Sequence, residues 1–254
     1  MSERLAGKTV WITGGSRGIG AAMARACALA GAKVIISSRK QPALDLTAAA
    51  INGDHPGAVV PKACHSGDPA QLAEFADWLW AEHGGCDVLI NNAATNLHFG
   101  PMLTVEAGQW DKTFEINVRG YFEAIRAVAT RWQKEGRAGS VINVASIQGL
   151  GGAPLQGVYG MTKAAVISMT KTLAVELGPA GIRLNAIAPG LVETRFAAVL
   201  TGSKDVLKMY TNRAALGRHA QPEEIAGLAV YLASDESSYA TGQVFTLDGG
   251  FTAT

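Results

Sequence analysis

Tyr159 and Lys163 stand four residues apart in a segment of helical period. That spacing puts a phenol and an ammonium on one helix face, one turn apart. Such a pair can exchange a proton with a substrate oxygen. A free phenol, with a pKa of about 10, is too weak a base for this at neutral pH. An ammonium about 4 Å away contributes on the order of 4 kcal/mol at an effective dielectric near 20, or roughly 3 pKa units. One cation, helped by positive charge on a bound ligand, is therefore sufficient in scale to activate Tyr159. Reduction of a carbonyl needs a proton at oxygen as hydride reaches carbon. Tyr159 reads as the general acid in that direction and the general base in the reverse. Ser146 ends a predicted strand, where its hydroxyl can polarise the same oxygen.

A second constellation lies near the N-terminus, in Thr13-Gly14-Gly15-Ser16-Arg17-Gly18-Ile19-Gly20. It follows an apolar strand and opens a helix. Glycines permit the tight turn and the close approach of a pyrophosphate to backbone N–H groups. The helix N-terminus adds unpaired donors and partial positive charge. At the end of the second strand stand Ser37-Ser38-Arg39-Lys40, and the nearest acid, Asp45, falls inside the next helix. A carboxylate at the strand end would repel a ribose 2′-phosphate, whereas Arg39 can hold one with its fork, and Arg17 adds a second cation. The cofactor expected is NADP(H), favoured over NAD(H).

The elements that must position these groups alternate. Strands are expected over 8–12, 33–37, 58–62, 87–91, 139–145, 182–187 and 243–247. Helices are expected near 18–30, 42–51, 69–83, 107–118, 120–135, 157–178 and 222–233. Continuous β-branched centres such as Val34-Ile35-Ile36 suit strands covered on both faces. Repeated β-then-α order implies parallel strands joined by right-handed crossovers. The stretch 191–220 mixes Phe196, Leu200, Met209 and Tyr210 with glycines and charges, and reads as a partly helical lid. A length of 254 residues suits one doubly wound α/β domain.

In chain order, Thr13 to Gly20, Asn91-Asn92-Ala93, Asn117, Ser146, Tyr159-Gly160-Met161-Thr162-Lys163, Pro189-Gly190 and Asp248-Gly249-Gly250 resemble the short-chain dehydrogenase/reductase family. The resemblance covers essentially the whole chain. It implies a Rossmann-like, doubly wound, parallel seven-stranded sheet with helices on both faces, and a homotetramer. It implies a catalytic set of Ser146, Tyr159 and Lys163 assisted by Asn117, which would anchor a water leading protons to Lys163. Lys163 would also bond the nicotinamide ribose. Cofactor contacts would come from Gly14, Ser16, Arg17, Gly18, Ile19, Gly20, Ser38, Arg39, Asn92 and Ala93. Pro189, Gly190, Val192 and Thr194 would meet the nicotinamide end. The chain departs from the family pattern twice. His65 stands where an aspartate usually faces the adenine, and Ala94 replaces a glycine, which requires a negative φ there.

Composition limits the alternatives. The formal net charge is +1 with scattered cations, which argues against nucleic-acid and membrane-surface partners. Cys27, Cys64 and Cys86 lack a CxxC spacing and the five histidines are dispersed, so neither a disulfide framework nor a metal site is expected. The N-terminus lacks an apolar leader core, and no apolar run reaches the roughly 18 residues of a membrane span. A reducing, cytoplasmic location is expected. Specificity should come from loops 94–101, with Asn96, His98 and Phe99, and 147–156, with Gln148, Leu150 and Gln156. Their largely uncharged lining suggests a neutral ketone, aldehyde or alcohol. Two rivals stand beside this reading. A 3-oxoacyl-carrier reductase would need a basic docking face, for which Arg126, Arg131 and Lys134 share one helix. A non-catalytic NADP(H)-binding sensor would keep the glycine turn without needing Tyr159 or Lys163. Asp235-Glu236 reads as a solvated loop.

Overall fold

The computed structural model describes residues 3–198, 202 and 204–253. Seven strands form one parallel sheet: β1 (Thr9–Thr13), β2 (Lys33–Ser38), β3 (Val59–Ala63), β4 (Val88–Asn91), β5 (Gly139–Val144), β6 (Ile182–Pro189) and β7 (Val244–Leu247). Their order is β3-β2-β1-β4-β5-β6-β7, and every pairing is parallel. The helices are α1 (Gly18–Leu29), α2 (Gln41–Asn52), α3 (Pro69–His83), α4 (Ala107–Phe114), α5 (Gly120–Glu135), α6 (Gly157–Leu177), α7 (Lys204–Arg213) and α8 (Glu223–Ala233). The expected Rossmann-like sheet is present, with helices on both faces.

Alternation along the strands explains the two layers. Val10, Ile12, Val34, Ile36, Val88 and Ile90 point to one face, where they pack with Met23 and Cys27 of α1, Leu44 of α2 and Ile225 of α8. Trp11, Ile35, Leu89 and Val141 point to the other, against Phe75 of α3 and Val128 and Trp132 of α5. Both faces are thus dry, which is why these strands read as unbroken apolar runs. Trp11 stacks on Phe75 with centroids 4.6 Å apart, and its indole N–H donates to Ser37. The three cysteines are free and buried. No helix among the described residues is long and apolar enough to cross a membrane.

Some boundaries differ from the sequence reading. β6 runs on to Pro189, whose missing N–H costs no bond to β7 there, because the carbonyl of its partner Leu247 takes the N–H of Gly190 at 2.9 Å. The helix expected over 107–118 divides into α4, started by a Glu106–Gln109 capping box, and a π-helical turn over Glu115–Arg119. Asp235 and Glu236 are solvent-exposed, as expected, but they form a short 3₁₀ turn whose carboxylates pair with Lys8 and Arg4, pinning the turn beside the entry to β1.

The chain leaves β1 toward β2 and β3, then returns to lay β4 on the opposite side of β1. A sheet wound this way opens a crevice at the carboxyl ends of its two central strands. Thr13-Gly14 and Asn91-Asn92 occupy those ends.

Candidate active site

The turn after β1 is built against the end of β4. The Thr13 hydroxyl accepts the N–H groups of Asn92 and Ala93 at 3.0 and 3.1 Å, and the Asn92 amide donates to the Thr13 and Gly14 carbonyls. Gly14 has φ +68 and Gly18 has φ +54. A Cβ on Gly14 would lie 2.8 Å from Ala93 Cα, and one on Gly20 would lie 2.3 Å from the Gly14 carbonyl oxygen. Only glycine fits this close packing of turn, helix and strand. Arg17 precedes α1 without a capping side-chain bond, and the first turn of α1 carries no acid. Its leading N–H groups therefore open onto the crevice with their partial positive charge uncompensated.

Gly14, Ser16, Arg17, Gly18, Ile19, Gly20, Ser38, Arg39, His65, Asn92, Ala93, Ser146, Tyr159, Lys163, Pro189, Gly190, Val192 and Thr194 all line one cleft of about 680 Å³. Asn117 does not line it. The charged side chains on its wall are Arg17, Arg39, Lys40, Lys163 and Arg195, and no carboxylate is among the described residues that line it. Asp45, the acid nearest the second strand's end, is turned to the Gln41 amide at 2.7 Å. His65 accepts the Gly67 N–H on Nδ1, which leaves Nε2 as the protonated nitrogen of the neutral ring. Ala94 is not among the residues of positive φ, so it meets the condition set for replacing glycine. These features fit a dinucleotide: a glycine cradle that a Cβ would fill, an uncapped helix N-terminus, and cations without a competing acid.

At the other end of the cleft, Ser146 follows β5 and Tyr159 and Lys163 project from α6. The Ser146 oxygen accepts the Gln148 N–H at 3.2 Å. Lys163 is buried with 1% exposure. Its Nζ donates to the Val144 carbonyl at 2.7 Å and to the Tyr121 hydroxyl at 3.4 Å. It lies 5.6 Å from the centre of the Tyr159 ring. Burial pushes the Tyr159 hydroxyl up to about 12, against a hydrogen bond from Ser146 that draws it down. Burial lowers Lys163 to about 7. In the protein alone, desolvation disfavours the charged form of each group.

Asn117 sits in the π-helical turn, fully buried. Its side-chain oxygen accepts the Thr95 N–H at 2.8 Å, and its nitrogen donates to the Thr95 carbonyl at 2.8 Å and to Thr162 Oγ1 at 3.1 Å. It ties the loop after β4 to α6, one residue before Lys163. The segment after β6 closes over the glycine turn. The Thr194 methyl is 3.2 Å from where a Gly18 Cβ would be, Val192 bridges to Ala220, and Phe196 lies 5.7 Å from Tyr159, ring to ring. Within the expected lid, α7 carries Tyr210, which lines the cleft and stacks on Phe251; Leu200 lies outside the described residues. Of the loop residues, Asn96, Phe99, Gln148 and Gln156 reach the cleft. His98 does not; its ring is held by the Pro101 carbonyl at 3.1 Å.

The chain matches the family model of enoyl-(acyl carrier protein) reductase over residues 14–252. It is 37% identical over 248 residues to dehydrogenase/reductase SDR family member 4 of Homo sapiens, covering 98% of this chain and 88% of that one. The chain belongs to the short-chain dehydrogenase/reductase family. It is also 40% identical over 253 residues to a 3-alpha-(or 20-beta)-hydroxysteroid dehydrogenase of Mycobacterium tuberculosis, covering all of this chain and 92% of that one. A gluconate 5-dehydrogenase from Burkholderia cenocepacia, solved in complex with NADP and tartrate, superposes with a TM-score of 0.94 at 32% identity, covering 99% and 98% of the two chains. This short-chain dehydrogenase/reductase is therefore an oxidoreductase by family.

One residue of the site escaped the sequence reading. Tyr121 is buried, donates to the Val144 carbonyl at 3.2 Å and receives Lys163. Its one signal was a position four past Asn117, on the same helical face.

Proposed function

We propose that this protein transfers hydride between NADP(H) and the carbonyl carbon of a ketone or aldehyde, or the corresponding alcohol, with Tyr159 moving the proton. The observation that carries the reading is that the hydroxyls of Ser146 and Tyr159 and the buried Lys163 share a cleft with the uncapped N-terminus of α1. Bound NADPH supplies the hydride. The α1 N-terminus holds the pyrophosphate, and Arg39, Arg17 and Ser38 hold the 2′-phosphate. His65 edges the adenine. Pro189, Gly190, Val192 and Thr194 hold the nicotinamide end.

Ser146 orients the substrate oxygen, and Tyr159 donates its proton there in reduction and takes it back in oxidation. A phenol held at about 12 is well kept as an acid. For oxidation it must be drawn down, which the charge of Lys163 would do together with the positive charge of the bound nicotinamide; an N–H of Lys163 beyond those given to Val144 and Tyr121 would bond the nicotinamide ribose. Asn117 acts by holding Thr95 and Thr162, which fixes α6 beside the cleft. The 191–220 segment serves as the substrate lid of the one catalytic domain. The basic face expected for carrier docking is partly neutralised, which does not favour that reading: Arg126 pairs with Glu123, and Arg131 pairs with Asp77 while lying over Trp80. We retain the homotetramer that the family resemblance implies, which sedimentation tests.

The deciding experiment is Tyr159→Phe. Turnover of NADPH with a panel of ketones and aldehydes should fall about a hundredfold to ten-thousandfold, while NADPH binding stays within about twofold of the parent. Retained turnover would remove Tyr159 from the mechanism. Tight NADPH binding by the parent with no turnover of any panel member would favour the sensor.

A further inference from the structure

The substrate end of the cleft is bounded by two loops that are fastened to each other. The Gly100 N–H donates to the Leu155 carbonyl at 2.9 Å, and the Asn96 amide donates to Gln156 Oε1 at 3.1 Å. A Cβ on Gly157 would lie 2.7 Å from Met102 Sδ, so the base of the first loop rests on the start of α6, two residues before Tyr159. The two loops form one continuous mouth beside the Tyr159 hydroxyl. Across it stands Phe196, against the Tyr159 ring.

What this mouth shows to solvent is apolar. Phe99 is 41% exposed, Leu155 45% and Phe196 47%, and Leu97, Met102, Leu103 and Leu150 are exposed beside them. Phe99 and Phe196 line the cleft itself. Leu155 holds φ +64, the one positive φ outside glycine among the described residues. An L-residue keeps that conformation only where its surroundings impose it, and here the bond from Gly100 does so. The polar groups nearby are neutral and partly spent on one another, as in the Asn96–Gln156 pair. Four of the five cations of the cleft belong elsewhere: Arg17, Arg39 and Lys40 flank the glycine turn and the second strand, and Lys163 lies beneath Tyr159. Arg195 alone stands next to the mouth, beside Phe196 in the chain. Apart from this cation and the amides of Asn96, Gln148 and Gln156, what the rim exposes is apolar. Contiguous exposed apolar surface rimming a cleft marks a binding surface.

We infer that the substrate is a bulky alicyclic or aromatic ketone, or its alcohol, whose hydrocarbon body lies across Phe99, Leu155 and Phe196 while its oxygen reaches Ser146 and Tyr159. This rests on the hydride-transfer reading above and narrows it. The exposed apolar rim would select for a large hydrocarbon body. A sugar acid or polyhydroxy ketone would cover the same surface without burying it and would leave its own hydroxyls unpaired.

The test uses the full chain with NADPH and three ketones: cyclohexanone, the bicyclic decalone and D-fructose. The expected result is a kcat/KM for decalone at least about tenfold above cyclohexanone, with D-fructose below both. Phe99→Ser should cut the decalone-to-cyclohexanone ratio about fivefold or more; Phe99 is half exposed, so the variant should fold, and circular dichroism checks this. A preference for D-fructose or cyclohexanone, or a ratio unmoved by Phe99→Ser, overturns the inference while leaving hydride transfer standing. If none of the three turns over, calorimetric binding to the NADPH-loaded protein separates the two readings. Decalone binding tighter than cyclohexanone would uphold the apolar mouth and count against hydride transfer, and no binding of decalone would remove the inference as well.

Discussion

The Nζ of Lys163 lies 3.4 Å from the hydroxyl of Tyr121, and both groups are buried. The Tyr121 ring also faces that nitrogen, with its centroid 5.2 Å away. Of the partners within reach of the ammonium, the Val144 carbonyl and the Tyr121 oxygen are hydrogen-bond acceptors, and the Tyr159 and Tyr121 rings supply π faces. Removing the Tyr121 oxygen leaves the charged form less supported. Lys163 then spends more time neutral and draws Tyr159 down less. Tyr121→Phe should move the acid limb of kcat/KM for alcohol oxidation to higher pH by about half a unit to one unit, since a hydrogen bond to a charged group contributes roughly 1.5–3 kcal/mol and this one is long. KM for the alcohol should change less than kcat. An acid limb that stays in place would show that Tyr121 only fills space.

Burial of Lys163 also has a signature in stability. Its pKa falls from 10.5 in the open chain to about 7 in the fold. Between those values the unfolded chain binds more protons than the folded one, so stability rises with pH. This contribution is complete above the unfolded value and is lost as pH falls through the folded one. From pH 9.0 upward, Cys27 and Cys64, both raised to about 12 by burial, oppose it. The clean window therefore runs from about pH 7 to about pH 9. Relative to Lys163→Met, the cofactor-free protein should gain about 2 kcal/mol across that window. Urea unfolding of both proteins at the two pH values reads this directly, and parallel changes would contradict the buried ammonium.

The sequence made the strands and the cofactor end legible for a physical reason. Strands covered on both faces must be apolar throughout, so Val34-Ile35-Ile36 announces itself. A glycine turn between strand and helix is likewise a local feature. What escaped depends on three dimensions. The segment 107–118 keeps helical period through Glu115–Arg119, so nothing in it marks the π-helical turn that seats Asn117. Tyr121 looks like any core aromatic until its hydroxyl is seen between Val144 and Lys163. The balance of Tyr159 and Lys163 turned on burial, which spacing does not report. His98 was placed at the cleft because its loop was, yet Pro101 and Thr104 hold it within its own turn.

Arg39 lines the cleft beside Ser38 and Lys40, with Asp45 turned away to Gln41. In the proposed complex its guanidinium pairs with the 2′-phosphate. Arg39→Asp replaces that partner with a repelling charge. NADPH affinity should fall about tenfold to a hundredfold, as expected for loss of charge-assisted bonds. NADH affinity should hold or improve, because a carboxylate there can accept from a ribose 2′-hydroxyl. Dissociation constants for both cofactors, read by fluorescence, measure the switch. An unchanged ratio would mean that Arg39 is only a solvated strand end.

The tightest packing in the cofactor cradle is at Gly20, where an added Cβ would sit 2.3 Å from the Gly14 carbonyl oxygen and 2.6 Å from the Asn92 amide. The first of these is backbone, so the strain cannot be relieved by a side-chain rotation. Gly20→Ala must push α1 away from the turn that it supports. This should destabilise the protein by about 1–3 kcal/mol, the usual range for overpacking, and weaken NADPH binding by at least about tenfold through the displaced helix N-terminus. Gly53→Ala is the matching control. Gly53 ends α2 with φ −60 and ψ −37, and the nearest atom a Cβ there would meet outside its chain neighbours is the Ala49 carbonyl oxygen at 3.6 Å. It should be neutral or slightly stabilising, by up to about 1 kcal/mol. Thermal unfolding with and without NADPH compares the two. If Gly20→Ala keeps the parent's NADPH-dependent rise in Tm, the close approach of helix and turn is not what builds the cofactor site.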